Sequence, residues 1–148
     1  MSRVLINECK LKFPALSRNE GMSRSAAAAF ALQCDPNVEE TAAVKTAVSE
    51  AVTNAIVHGY RNTSGDVEMT MKLFEGGVLQ IRIKDKGSGI SDVKAAMQPM
   101  FSTAPADEER SGMGFTVMES FMDKVKVRSA PGSGTVVTLE KRIGGKSR

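Results

Sequence analysis

Glu50 and Asn54 sit one helical turn apart in Ser49-Glu50-Ala51-Val52-Thr53-Asn54-Ala55-Ile56-Val57-His58-Gly59. Val44, Val48, Ala51, Val52, Ala55 and Ile56 recur around them at helical spacing, and no Pro or Gly interrupts the run. The spacing puts the carboxylate and the carboxamide on one face. A carboxylate there can accept a proton, and a carboxamide oxygen can meet a hard cation. Two solvated polar residues on a surface helix would look the same, so the pair needs company before it means a site.

That company comes in order along the chain. Asp85-Lys86-Gly87-Ser88-Gly89 closes an alternating apolar run. An Asp at a strand's mouth can accept a hydrogen bond from an exocyclic amine, and the glycines let backbone approach a ligand with no Cβ in the way. A plain turn gives the same pattern. Ser111-Gly112-Met113-Gly114-Phe115 opens a helix, where exposed amides at the positive end can cradle a phosphate. Gly134-Thr135 lies on the last hairpin, and alone reads as a turn. A Gly-x-x-x-x-Gly-Lys-Ser/Thr run is absent, which excludes a P-loop.

These groups need elements to hold them. The pattern predicts a strand over 3–13 with a phase shift near Cys9, ended by Pro14. A helix over 18–33 follows a capping-box pattern at Ser17-Arg18-Asn19-Glu20. A second helix over 37–58 starts from Asp35 as cap and Pro36 in the first turn, and stops at Gly59. Alternation over 67–73 and 78–85 about Glu75-Gly76-Gly77 predicts a hairpin. A short helix near 92–97, a loop over 98–111, a helix over 114–122 and a hairpin of 125–129 with 136–139 complete the chain. The expected fold is α+β: a two-layer α/β sandwich with a mostly antiparallel, mixed sheet and helices on one face.

The 148 residues suit one domain spanning 1–148, and 41% hydrophobic with 25% charged residues is ordinary globular composition. No apolar run approaches a membrane span and the start does not read as a signal peptide, so a cytoplasmic location and no membrane contact are expected. Cys9 and Cys34 make neither a metal spacing nor a redox pair, and are expected reduced. His58 is the only histidine and is expected to meet the helix C-terminus. The net charge of +3 traces to the end of the chain: residues 1–140 hold sixteen Lys and Arg against seventeen acids. The tail 141–148 is expected to be basic and mobile, and direct nucleic-acid binding is not expected.

Taken together, Glu50/Asn54, Asp85/Gly87/Gly89, Gly112/Gly114 and Gly134/Thr135 resemble the ATP-binding domain of the GHKL superfamily over nearly the whole chain. The runs 49–55, His58-Gly59-Tyr60 and 110–115 are more specific still, and are similar to the anti-sigma F family of small serine kinases from spore-forming bacteria. The resemblance implies ATP and Mg2+ as ligands. It makes Asn54 the metal-holding residue and Glu50 the general base for a serine hydroxyl. Asp85 would take adenine, with Gly87 and Gly89 beside it and Thr135 in support. Ser111, Gly112 and Gly114 would hold phosphate, Arg110 would stabilise charge on the γ-phosphate, and 98–111, including Thr103, would form a lid. Such chemistry is phosphoryl transfer by positioning and electrostatics.

The implied partners are a sigma F-type sigma factor and an anti-anti-sigma factor as the serine substrate, with Arg24 at the partner surface and the chain acting as a homodimer. The lid departs from the family pattern: Ser102-Thr103-Ala104-Pro105 has Ala104 where relatives tend to carry Lys, so lid closure or turnover is expected to differ. Three other readings stay open: a nucleotide-dependent sigma-binding module without phosphotransfer, a histidine-kinase fragment lacking its phospho-acceptor helix, and DNA binding through the tail.

Overall fold

The computed structural model describes residues 3–60, 65–87 and 114–144. The His58 side chain, the helix expected near 92–97 and the loop over 98–111 lie outside the described residues. Five strands form one sheet: β1 (Leu5–Pro14), β2 (Asp66–Phe74), β3 (Val78–Asp85), β4 (Lys124–Ala130) and β5 (Gly134–Arg142). Their order across the sheet is β1-β2-β3-β5-β4. Every pairing among the described strands is antiparallel, so no parallel pair is found to match the mixed sheet expected. Helices α1 (Asn19–Ala31), α2 (Val38–Asn54) and α3 (Gly114–Phe121) cover one face, with α2 packed between the other two.

The core follows from strand alternation. Met69, Met71 and Leu73 on β2, Leu79, Ile81 and Ile83 on β3, and Val137 and Leu139 on β5 are buried on one side. Val44, Val48 and Val52, all fully buried, bring the α2 stripe down onto them. Burying each such valine stabilises the fold by about 1.5–3 kcal/mol. Ala43, Ala47 and Ala51 are buried on the same helix, and their small side chains allow close helix packing.

The helix starts differ from expectation. At α1 the capping box does not form: Arg18 is the cap and makes no side-chain cap bond. Asn19 Nδ2 instead donates to the Pro14 carbonyl (2.9 Å), and Glu20 accepts from Arg24. The capping box stands at α2. Asn37 accepts from the Glu40 amide (2.7 Å) while the Glu40 carboxylate accepts from the Asn37 amide (3.0 Å). Asp35, expected as that cap, is left-handed at φ 52° and ends the 3-10 turn Leu32–Cys34. The irregularity expected near Cys9 falls between Leu5 and Asn7. Cys9 and Cys34 are free thiols, as expected.

The chain end corrects the tail boundary. Lys141 and Arg142 belong to β5, Ile143 is buried, and its amide donates to the Gly77 carbonyl (2.8 Å). Only 145–148 fall outside the described residues there.

Asn37→Ala removes one half of the α2 cap and is expected to cost about 1 kcal/mol. Asn37→Ser is expected to keep most of it. Urea unfolding of the three proteins checks the order.

Candidate functional site

Glu50 and Asn54 occupy the last two turns of α2, on the side turned toward the start of α3. There the first residue is Gly114. A Cβ at Gly114 would lie 3.3 Å from Glu50 Oε1, 3.4 Å from Asn54 Nδ2 and 3.6 Å from Asn54 Oδ1. The sequence-predicted base, metal ligand and phosphate-loop glycine therefore converge, and the missing side chain keeps space open beside both polar groups. Directly after Asn54 the helix widens into a π-turn over Ala55–Gly59. Such turns cluster at functional sites because the extra residue re-aims the neighbouring side chains. Nothing in the sequence periodicity announced it.

Asp85 ends β3 and is 5% exposed. Burial pushes its carboxyl above the ordinary Asp range, against the pull of backbone amide bonds from Gly87 and Thr135. The Gly87 amide donates to Asp85 Oδ1 at 2.9 Å. Gly134, at φ 84°, allows the close crossing beside it: a Cβ there would run into the Asp85 carbonyl oxygen and Lys86 Cα. Thr135 pairs with Asp85 across the ladder and is itself buried, its hydroxyl 2.8 Å from Ser129 Oγ. Ser129 also donates to the Gly134 carbonyl (2.9 Å). Sequence reasoning missed Ser129, although counting back from the Pro131–Ser133 turn places it opposite Thr135.

Tyr60 joins the two halves. It follows the π-turn and is buried, and its hydroxyl accepts from the Lys86 amide (2.7 Å) and donates to the Asp66 carbonyl (2.8 Å). The segment that carries Asn54 is thus tied to the residue after Asp85. Gly65 faces the Tyr60 ring with no room for a Cβ.

On the α1–α2 side a groove of about 330 Å3 is lined by Arg24, Ala42, Lys45, Thr46, Ser49 and Glu50. Arg24 is held by Glu20 at 2.7 Å, one turn away, and remains partly exposed. Glu50 therefore faces both this groove and the Gly114 cradle. Gly89, Thr103, Arg110, Ser111 and Gly112 lie outside the described residues.

The donor set bears on a divalent cation. Among the described residues no group of three or more His, Cys, Asp or Glu side chains could hold a metal. One carboxamide oxygen beside one carboxylate suits an ion that takes most ligands from phosphates and water, as Mg2+ does.

Comparison with known proteins shows the family. The model of the histidine kinase-like ATPase domain matches residues 13–141. An anti-sigma F factor of Thermoanaerobacter sp. (strain X514) is 52% identical over 139 residues, covering 93% of this chain and 95% of its own. This chain belongs to the anti-sigma F factor family. A relative of that name from Geobacillus sp. (strain WCH70) is 50% identical over 137 residues, covering 93% of both chains. Another, from Priestia megaterium, is 49% identical over 138 residues, again covering 93% of each.

Among solved structures, the RsbU and RsbW domains of a Mycobacterium tuberculosis protein superpose with a TM-score of 0.67 at 18% identity, over 93% of this chain and 33% of that one. A blue-light activated histidine kinase of Erythrobacter litoralis gives 0.56 at 22% identity, over 76% of this chain and 33% of that one. These establish the shared α+β fold of the family.

Asp85 titrates with a clear sign. Its folded pKa is raised, so the stability it contributes is complete below the unfolded Asp value and is lost as pH rises through the folded one. The ligand-free Asp85→Asn protein is therefore expected to be more stable than the native protein at neutral pH, and the gap is expected to close below about pH 4. Thermal unfolding across pH 3–8 measures it; a gap that widens toward low pH contradicts the assignment.

Proposed function

We propose that this chain binds Mg-ATP and acts as both an anti-sigma factor and a protein serine kinase. It holds a sigma F-type sigma factor, and it phosphorylates an anti-anti-sigma factor on serine. What carries the reading is the convergence at Gly114: a carboxylate and a carboxamide one turn apart, both within 3.6 Å of a position kept empty by glycine. The family's histidine kinase-like ATPase domain and its anti-sigma F members support the same reading.

Each residue then has one task. Asp85, buried at the end of β3, accepts from the exocyclic amine of adenine, with Gly87, Gly89 and Thr135 in support. Ser111, Gly112 and Gly114 take the phosphates, and Arg110 and Thr103 meet them from the 98–111 segment. Asn54 would hold Mg2+, which when bound supplies charge neutralisation at the phosphates. Glu50 takes the proton from the serine hydroxyl as the serine oxygen bonds to the γ-phosphorus. The bond from that phosphorus to the ADP oxygen breaks, and the proton later leaves Glu50 for solvent.

The groove that contains both Arg24 and Glu50 supports an approach of the serine-bearing partner from the α1–α2 side. Sigma factor and anti-anti-sigma factor would compete there, so nucleotide state sets which complex is favoured. The working form is a homodimer in the cytoplasm.

Glu50→Gln is expected to keep ATP and sigma binding but lower phosphate transfer to the anti-anti-sigma partner about 10²–10⁴-fold. Assay with labelled ATP reads it; unlabelled partner with the native protein, ATP still bound, would instead favour a binding module without phosphotransfer. Asn54→Ala is expected to weaken Mg-ATP at least about tenfold, the scale of one lost 1.4 kcal/mol interaction. Calorimetric titration with and without Mg2+ checks this, and equal affinity refutes the metal assignment.

A further inference from the structure

The sheet face turned away from the helices gathers charge that the linear sequence disperses. Strand register places Lys10, Thr70, Arg82, Thr138 and Lys126 in one row across all five strands. The row beside it runs Lys12, Glu68, Lys84, Val136, Arg128. The next runs Glu8, Lys72, Gln80, Glu140, Lys124. With Arg142 at one margin and Asp66 at the other, the face carries nine cations against four carboxylates.

Three of those carboxylates are already met. Glu8 faces Lys72 (3.8 Å), Asp66 faces Lys12 (3.8 Å), and Arg3 grips Glu140 through two short bonds and holds its carboxyl below the usual range. In the central row Lys10, Arg82 and Lys126 are exposed and make no ion pair among the described residues. They stand about 10 Å apart, two strand spacings, with small threonines between. Exposed cations at this spacing are largely screened from one another, and together they give the row a positive potential.

We infer that this face, formed by β1, β2, β3, β5 and β4, is a docking surface for the acidic face of a folded protein. A second copy of this chain apposed face to face would set cations against cations. Nucleic acid fits less well. The face offers one aromatic ring among the described residues, Phe74 in the row with Leu5, Val78 and Arg142, and Arg3 already lies over that ring at 5.4 Å from its centroid, while Glu68 would meet phosphate. Discrete cations spaced by threonine, bordered by the Leu5, Phe74 and Val78 side chains, suit carboxylates on a shaped protein surface. The face lies on the opposite side of the sheet from Glu50, Asn54 and α3, so an occupant here leaves the candidate site open. This surface is independent of the kinase reading.

The test uses the full chain and a 20-residue polyglutamate peptide as probe, with a single-stranded oligonucleotide of equal charge in parallel. The native protein is expected to bind the peptide at low salt, more weakly as salt rises. Lys10→Glu/Arg82→Glu/Lys126→Glu is expected to lose at least tenfold in affinity, and the matching Gln triple variant part of that. Arg18→Glu, on the helical side, and Lys146→Ala/Arg148→Ala are expected to bind as the native protein does.

Several outcomes overturn the inference: no peptide binding at low salt, loss in the Arg18 or tail variant instead, or tighter oligonucleotide binding that the sheet variant abolishes. A changed sedimentation mass in either triple variant also overturns it, because the face would then join copies of this chain. Circular dichroism establishes that the variants fold.

Discussion

Burial of one stripe of α2 is the constraint on which this molecule depends. Val44, Val48 and Val52 are fully enclosed against the sheet, while Ala43, Ala47 and Ala51 let the neighbouring helices close in. With that face fixed, a helix leaves little freedom for the rest. Glu50 and Asn54 are turned toward α3, and Lys45, Thr46 and Ser49 toward the groove with α1. Rotation of α2 by one residue would bury polar groups without partners, at a cost of a few kcal/mol. Packing energy therefore sets the aim of the candidate chemistry.

Asp85 represents the opposite arrangement, a local cost kept in place by its surroundings. A carboxylate is buried at a strand end, its pKa raised by desolvation and only partly offset by two amide bonds. Gly134 makes the crossing possible, Thr135 and Ser129 shore up the next strand, and the Tyr60 hydroxyl pins the chain just beyond. Desolvating a carboxylate costs free energy that its two amide bonds offset only in part, and a further donor from a ligand would add to them. Such a trade is characteristic of sites for ligands rather than of cores.

The sheet has two faces with two characters. One is apolar and closes the core; the other is a lattice of cations with a few paired acids. Alternation along each strand requires only that the second face be polar. Its strongly positive sign is a separate property of this chain, and the nearly neutral total over residues 1–140 conceals it.

Period and turn chemistry were legible from residues alone. Both hairpins, the long helix carrying Glu50 and Asn54, and the helix opening at Gly114 lie close to where the pattern puts them, because local alternation and glycine turns specify them. The caps were not legible: Ser17-x-x-Glu20 and Asn37-x-x-Glu40 offer the same local bonds, and only the second forms them. Arg24 engages Glu20 at the first, and a left-handed Asp35 hands the second helix to Asn37. Tertiary structure alone decided three further things: that Gly114 faces Glu50 and Asn54, that Tyr60 links their helix to the Asp85 strand, and that cations from five separate strands share one surface. Each is a proximity between residues far apart in the chain, set by strand order and by which helix face is buried. Local sequence fixes the period of an element but not its neighbour.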